Sequence, residues 1–352
     1  MESIRPSVPL VTSTGGDAAA AAEVPERRAE VPERRAVVLN RSAEVLDRSA
    51  EVLELGAEVL ERSAEVLERS AEVLERSADY LVLRRLPRIA RYSADENEPV
   101  KQALYVDVET TGLDARNDAI MQFCGVPFEF APASGRIHRV YPAIVCYEDP
   151  GRPIPDLVVQ KTGITDAMVS GTRLDEDAIH AALGTSVLVI AHNAAFDRGF
   201  LDRRLPAFAN KHWACSLADV PWATHGFDSS KLEFLLYKHA RVFYEAHRAD
   251  EDCFAGIHLL ATPLPNGELP LHLLLGSARR PTWRLSATAA PFDRKELLKA
   301  RGYKWNSESV VWWKDIADLE RDGEVAWLRA EVYQSASAEP QSEKVDPKRR
   351  FT

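Results

Sequence analysis

The stretch 103–114, ALYVDVETTGLD, decides how this chain is read. Its first half is apolar and rich in β-formers, as expected of a buried strand. Asp107 and Glu109 stand two apart on that strand, so their side chains point to one face. Two carboxylates on an apolar strand are costly unless cations offset them. The plain alternative is a strand end with solvated acids. The residues that follow, Thr110, Thr111 and Gly112, make a tight polar turn whose N–H groups could meet a phosphate or a terminal sugar.

Two more acidic motifs follow in order. In HNAAFD (192–197), Asp197 comes just after the apolar strand SVLVIAHN (186–193) and opens a helix. Phe200 and Leu201, three and four residues on, share its face, which turns the acid toward the core side. A helix N-cap is the competing reading. In HRADEDC (247–253), Asp252 opens the helix ADEDCFAGIHLLA (249–261). Ala255 and Gly256 on its face allow close approach to a sheet. His247 stands just upstream, and an imidazole with a pKa near 6.5 can accept a proton from water near neutral pH. Asp250 and Glu251 compete for the same role as Asp252. Together the motifs offer four carboxylates and a histidine. Hard divalent cations prefer oxygen ligands, and a pair of them can clamp the attacking and leaving oxygens of a phosphodiester. The inventory is that of a metal-dependent nuclease.

With all three motifs in this order, residues 101–262 resemble the DEDDh class of 3′–5′ exonucleases, the DnaQ-like group. A sister class carries Tyr four residues before the last acid; here that position is Arg248, so the histidine class fits. The resemblance implies an RNase H-like fold, a mixed five-stranded sheet flanked by helices. It implies two Mg²⁺ or Mn²⁺ ions and release of nucleoside 5′-monophosphates from a 3′ end. Carried onto this chain, Asp107, Glu109, Asp197 and Asp252 would be metal ligands, Asp107 bridging both ions, and His247 the general base. Thr110, Thr111, Gly112 and Leu113 would line the 3′-terminal nucleotide, with Leu113 wedging its base. His192, Asn193 and Phe196 would flank the strand. The substrate is read as DNA with single-stranded or frayed 3′ ends, in repair, trimming or proofreading. RNA 3′ ends remain an alternative, because discrimination of the 2′-hydroxyl rests on pocket contacts. A non-catalytic nucleic-acid-binding scaffold is a second alternative. Association with a DNA polymerase or clamp stays open; no convincing clamp peptide follows the nuclease segment, LPLHLLL (269–275) being a loose candidate only, which favours a stand-alone repair or trimming nuclease.

Outside this segment the chain changes character. Residues 22–92 read as a heptad-repeat helical arm, with copies of AEVLERS in which Glu precedes Arg by four, the favourable order for helix ion pairs. Pro25 and Pro32 should keep the first units out of the helix, which is expected over 37–86. Self-association through the arm, a solitary charged helix and an unused repeat expansion are the three readings. Residues 1–21 are expected to be disordered, 100–262 to form the nuclease domain, 263–280 a Pro-rich linker, and 335–352 a disordered tail.

Residues 281–334 form a small module with aromatics interleaved among cations. Nine basic residues face three acidic ones between 279 and 314. Trp283, Tyr303, Trp305, Trp312 and Trp313 lie among them. Stacking aromatics with phosphate-tracking cations suit single strands, and Arg301, Lys304, Trp305 and Lys314 are the accessory contacts singled out. The other reading makes the tryptophans the core of a small unit. The expected form is strand, helix (294–300), then a hairpin around Asn306-Ser307. The net charge of −10 is weak evidence against a nucleic-acid substrate, since bound cations would reverse the local field. Four scattered cysteines without a C-x-x-C pair read as buried thiols. The sequence carries no secretory signal or membrane-length apolar run, and a cytoplasmic location is expected.

Overall fold

The computed structural model describes residues 31–95 and 97–352, and side chains from residue 53 on. It divides into two units, 1–81 and 82–352. The expected disorder of 1–21 lies outside the described residues.

The first unit contains helix α1 (Val31–Glu75). Pro32 falls in its first turn, where the missing N–H costs nothing, so the helix starts earlier than the prolines suggested. It ends eleven residues before the expected position 86. The last full repeat closes at Ser77, and the segment after it, ADYLVLRRLP, abandons the heptad for β-formers and Pro87. Leu53, Leu60 and Leu67 recur every seventh residue and are about 70% exposed (74%, 72% and 70%).

The second unit is built on a mixed sheet. Its strands are β1 (Lys101–Thr110), β2 (Ile120–Phe130), β3 (Ile137–Val140), β4 (Ile144–Tyr147), β5 (Leu188–Ala191) and β6 (Trp213–Cys215). The order is β3-β2-β1-β5-β6, with β4 also on β2; β1 pairs antiparallel with β2 and parallel with β5. In sequence GRIHRVYPAIVC (135–146) reads as a single strand, where β3 and β4 lie. Pro142 cannot donate to a ladder and interrupts it, giving six strands for the expected five. Counted as one interrupted strand, β3 and β4 leave the mixed five-stranded sheet that was expected.

Alternation along β1 sorts two cores. Leu104, Val106 and Val108 pack with Phe123, Phe200, Leu201 and Trp213 on one face. There they meet α3 (Glu176–Thr185) and α4 (Ala194–Arg204). Ala103 and Tyr105 pack on the other with Val126, Phe128, Ala255 and Leu259, against α5 (Ala249–Ala261). A Cβ on Gly256 would lie 2.0 Å from the Tyr105 hydroxyl, so glycine is what lets α5 sit on β1.

The domain is larger than expected at both ends. Upstream, Arg84 and Arg85 pair parallel with Val242 and Phe243, Leu86 enters the core, and the Tyr92 hydroxyl lies 3.0 Å from His258 Nδ1. Residues 82–92 thus belong here and not to the arm. Downstream, the expected linker contains α6 (Pro270–Arg279), whose Leu271, Leu274 and Leu275 are buried. Their 3-4 spacing makes an amphipathic face that the surrounding prolines obscured.

The small module has the expected strand, helix and hairpin: β7 (Thr282–Ala287), α7 (Lys295–Ala300), β8 (Lys304–Asn306) and β9 (Val311–Ala317), followed by α8 (Arg321–Trp327). The expected disordered tail is instead ordered. β10 (Gln341–Val345) pairs antiparallel with β7, giving the order β8-β9-β7-β10. Its polar composition hid this, because an edge strand is held by main-chain bonds and buries little. Leu285, Leu298, Tyr303, Ile316 and Leu328 form the core, with Trp283, Trp312 and Trp327 against it. Trp305 is 49% exposed.

Candidate active site

The two faces of the sheet meet at the end of β1. Asp107 and Glu109 follow Tyr105 on the α5 face, at register positions opposite Cys124 and Gln122. Buried Gln122 accepts from the Ala249 amide at 3.2 Å, fixing the start of α5 against β2. That places Asp252, in the first turn of α5, over the strand end. One carboxylate oxygen each from Asp107, Glu109 and Asp252 lies within 4.8 Å of the others. Asp197 arrives from the opposite face on α4, and its Oδ1 accepts from the Val108 amide at 3.2 Å. It is buried and presses electrostatically on Asp107.

The charges are strongly mismatched with their surroundings. Burial, then Asp197 and Asp252, drive Asp107 well above the usual carboxylate range. Glu109 is pushed up to about 7 by burial and then by Asp252, while Lys161 pulls it down. Burial carries Asp197 to about 8 and Asp252 to about 6. Asp107 and Glu109 keep a part-accessible edge, so they are enclosed on all sides but the mouth. Clustered carboxylates that resist ionisation make this a candidate functional site. An all-oxygen set at this spacing fits divalent cations.

Asp252 also organises the loop before it. Tyr244 donates to its Oδ1 at 2.8 Å, and the amides of His247 and Arg248 donate to Oδ2 at 2.9 and 3.2 Å. These bonds hold His247 at φ +67°, a conformation uncommon outside glycine. Its half-buried ring is held below the usual imidazole range by burial and by the charge of Lys161. The ring is therefore neutral and able to accept a proton at neutral pH.

The other sequence-selected residues divide by what they touch. Thr110 donates to the Gly112 carbonyl at 2.6 Å. The Thr111 hydroxyl is held by Arg152 at 2.8 Å and Ala119 N at 3.1 Å. A Cβ on Gly112 would run into the Asp118 carboxylate at 2.4 Å. These three shape the turn. Leu113 projects from it, 86% exposed. Both His192 nitrogens are engaged, Nδ1 with Ser216 Oγ at 2.9 Å and Nε2 with the Ser230 carbonyl at 2.8 Å. Burial drops its pKa to about 4. That ring braces the end of β5 instead of facing a ligand. Asn193 is exposed, and Phe196 packs on Phe200 with centroids 5.0 Å apart. In the module, Arg301 and Lys314 converge on Glu324, whereas Lys304 is exposed over Trp313. Asp250 and Glu251, the competing acids, both meet Arg88.

Three residues near the mouth escaped sequence reasoning. Lys161, on α2 (Asp156–Thr162), acts electrostatically on Glu109 and His247. Glu233 acts on Asp252, Tyr244 and His247. Lys161 belongs to no spaced motif; Glu233 reads in sequence only as the acid of a Ser230–Glu233 capping box, whereas the helix is capped at Lys231 with no side-chain cap bond. Tyr244, three residues before His247, was the one recoverable signal.

Residues 104–260 match the Exonuclease family model. Curated relatives named DNA polymerase III PolC-type include that of Lacticaseibacillus paracasei, 34% identical over 115 residues. Those are 32% of this chain and 8% of that protein. The Listeria monocytogenes protein is 38% identical over 117 residues, 31% of this chain and 7% of that one. The chain thus matches under a tenth of the length of these relatives. Among solved structures, Exonuclease X in complex with 5′-overhanging duplex DNA is 27% identical, TM-score 0.35, covering 45% of this chain and 89% of that one. A zinc-bound Escherichia coli ExoI–ssDNA complex is 19% identical, TM-score 0.41, covering 53% and 48%. The family is divalent-metal dependent, in keeping with the carboxylate cluster. Residues 104–260 are thus similar in sequence to the Exonuclease family.

Proposed function

We propose that this protein removes nucleotides from DNA 3′ ends, releasing nucleoside 5′-monophosphates with the aid of two Mg²⁺ or Mn²⁺ ions. The observation that carries the reading is the convergence of Asp107, Glu109 and Asp252 within 4.8 Å, with His247 tied to Asp252 through its amide. Asp107, Glu109, Asp197 and Asp252 would hold the cations, which supply positive charge against the phosphate in the transition state. His247 takes the proton from the attacking water. Leu113, Asn193 and Phe196 meet the terminal nucleotide, over a turn shaped by Thr110, Thr111 and Gly112. DNA is favoured because the matched relatives are named DNA polymerases.

A cavity of about 400 Å³ is bordered by Ala195, two residues before Asp197, and by Lys304 and Trp313 of the module. It offers a path for the strand upstream of its 3′ end. Lys304 and the exposed Trp305 are the accessory contacts; Arg301 and Lys314 serve mainly Glu324. The leucine stripe of α1 is read as a self-association surface.

The test uses 5′-labelled DNA and RNA oligonucleotides with wild type, Asp107→Ala and His247→Ala, in Mg²⁺ or EDTA. Wild type with Mg²⁺ should shorten DNA stepwise from the 3′ end, and both variants should be severely impaired. Equal degradation in EDTA, or by Asp107→Ala, would overturn the proposal. Faster shortening of RNA would move the substrate to the RNA alternative.

A further inference from the structure

The residue after Asp197 is a buried cation with unusual partners. Arg198 is 1% exposed, and its guanidinium is spent almost wholly on main-chain oxygens. It donates to the Arg350 carbonyl at 2.7 Å, to the Lys348 carbonyl and to the Ala209 carbonyl at 3.3 Å; Nε meets Asp202 at 2.9 Å. Two of these acceptors lie about 150 residues away, in the segment after β10.

That segment is itself pinned by one side chain. Arg350 is buried and forms an ion pair with buried Asp219. It also donates to the Trp213 carbonyl at 3.2 Å and to Thr282 Oγ1 at 3.0 Å. Asp219 is held in turn by the Cys215 amide and the Ser277 hydroxyl, both at 2.8 Å. Phe351 packs beside the core formed by Val108, Phe200 and Trp213. The segment is thus a strap, anchored beside β6 and applied to α4.

We infer that Arg350 is a positioning residue: it pins the strap, the strap carbonyls hold Arg198, and Arg198 fixes the turn of α4 that presents Asp197. A buried guanidinium keeps its place only while its donors are satisfied. Releasing the strap removes two acceptors at once, so α4 must shift or admit water. The module and the carboxylate cluster are thereby linked through the main chain. The inference rests on Asp197 being a metal ligand, as proposed above.

The test compares full-length wild type, Arg350→Ala, Arg350→Lys and Arg349→Ala. Arg349 is the exposed neighbour in the same segment. Hydrogen exchange is measured on the metal-free proteins, and Mn²⁺ binding by electron paramagnetic resonance. In Arg350→Ala, amides of 346–351 and of α4 should exchange faster. Mn²⁺ should bind roughly tenfold more weakly, as when a supporting partner of a ligand is lost. Arg350→Lys retains a cation for Asp219 and should show smaller shifts in the same direction; it carries the test if the alanine variant does not fold. Arg349→Ala should match wild type. Freed 346–351 amides with α4 exchange and Mn²⁺ affinity unchanged would overturn the inference. So would wild-type exchange in both segments. A wild type that binds no Mn²⁺ would sink the metal-site reading, while the exchange comparison would still decide the strap.

Discussion

Replacing Glu109 by glutamine should stabilise the metal-free protein while abolishing its response to metal. Glu109 ionises at about 7 in the fold, against an ordinary value of 4.5, because it is buried and faces Asp252. A raised value means the folded state keeps a proton that the unfolded chain has given up. Its contribution to stability is therefore full below about pH 4.5 and is lost as pH rises through about 7. At 1.36 kcal/mol per pH unit, the ionised carboxylate costs the fold roughly 3 kcal/mol at pH 8. Glutamine has nearly the same shape and no charge. At roughly 1.5–2 °C per kcal/mol for a folded unit of this size, Glu109→Gln should melt about 4–6 °C higher than wild type at pH 8 in EDTA. At pH 4.5 the two should nearly coincide. Mg²⁺ should raise the wild-type transition and leave the variant almost unmoved. Calorimetry at several pH values, with and without metal, reads all three effects. Equal melting at pH 8 in EDTA, or equal Mg²⁺ stabilisation of both proteins, would refute the view that these carboxylates are held apart from water for a cation.

Other substitutions test separate parts of the account. His247→Gln should lower kcat by roughly 10²–10⁴-fold and leave Mn²⁺ affinity close to wild type; steady-state kinetics beside metal titration separates base from ligand. Gly256→Ala should destabilise by about 1–3 kcal/mol, because its methyl meets Tyr105; denaturant unfolding reads the loss. Leu274→Ala should cost about 2–5 kcal/mol if α6 is core, whereas a true linker residue would change stability little. Asparagine at Leu53, Leu60 and Leu67 together should convert an oligomer to a monomer in sedimentation, with nuclease activity per chain unchanged.

The site was largely legible because each acid sat at a place where secondary structure fixes direction. Two residues on a strand share a face, and the first turn of a helix points back at the sheet edge. Glu109 and Asp252 therefore met as their positions required. The small face of α5 was likewise visible in Ala255 and Gly256. Legibility failed where order comes from partners distant in sequence. The stretch SASAEPQSEKVDPKRRFT has a disordered composition, yet it gains a strand from β7 and an anchor from Asp219. Prolines around α6 masked three leucines, and Pro142 split a strand whose two halves keep the same neighbour. His192 looked like a ligand contact because it adjoins the site. Only its two internal hydrogen bonds reveal a brace. Lys161 and Glu233 reach the mouth by tertiary packing, and no pattern at either position points to the site.

The most direct measurement is the time course of mononucleotide release from a 3′-labelled single-stranded DNA, with Mg²⁺ and again after chelation. The account predicts labelled nucleoside 5′-monophosphate as the first product, with release stopped by chelation and restored by added metal. Release that persists under chelation, or a first product longer than one nucleotide, would contradict it.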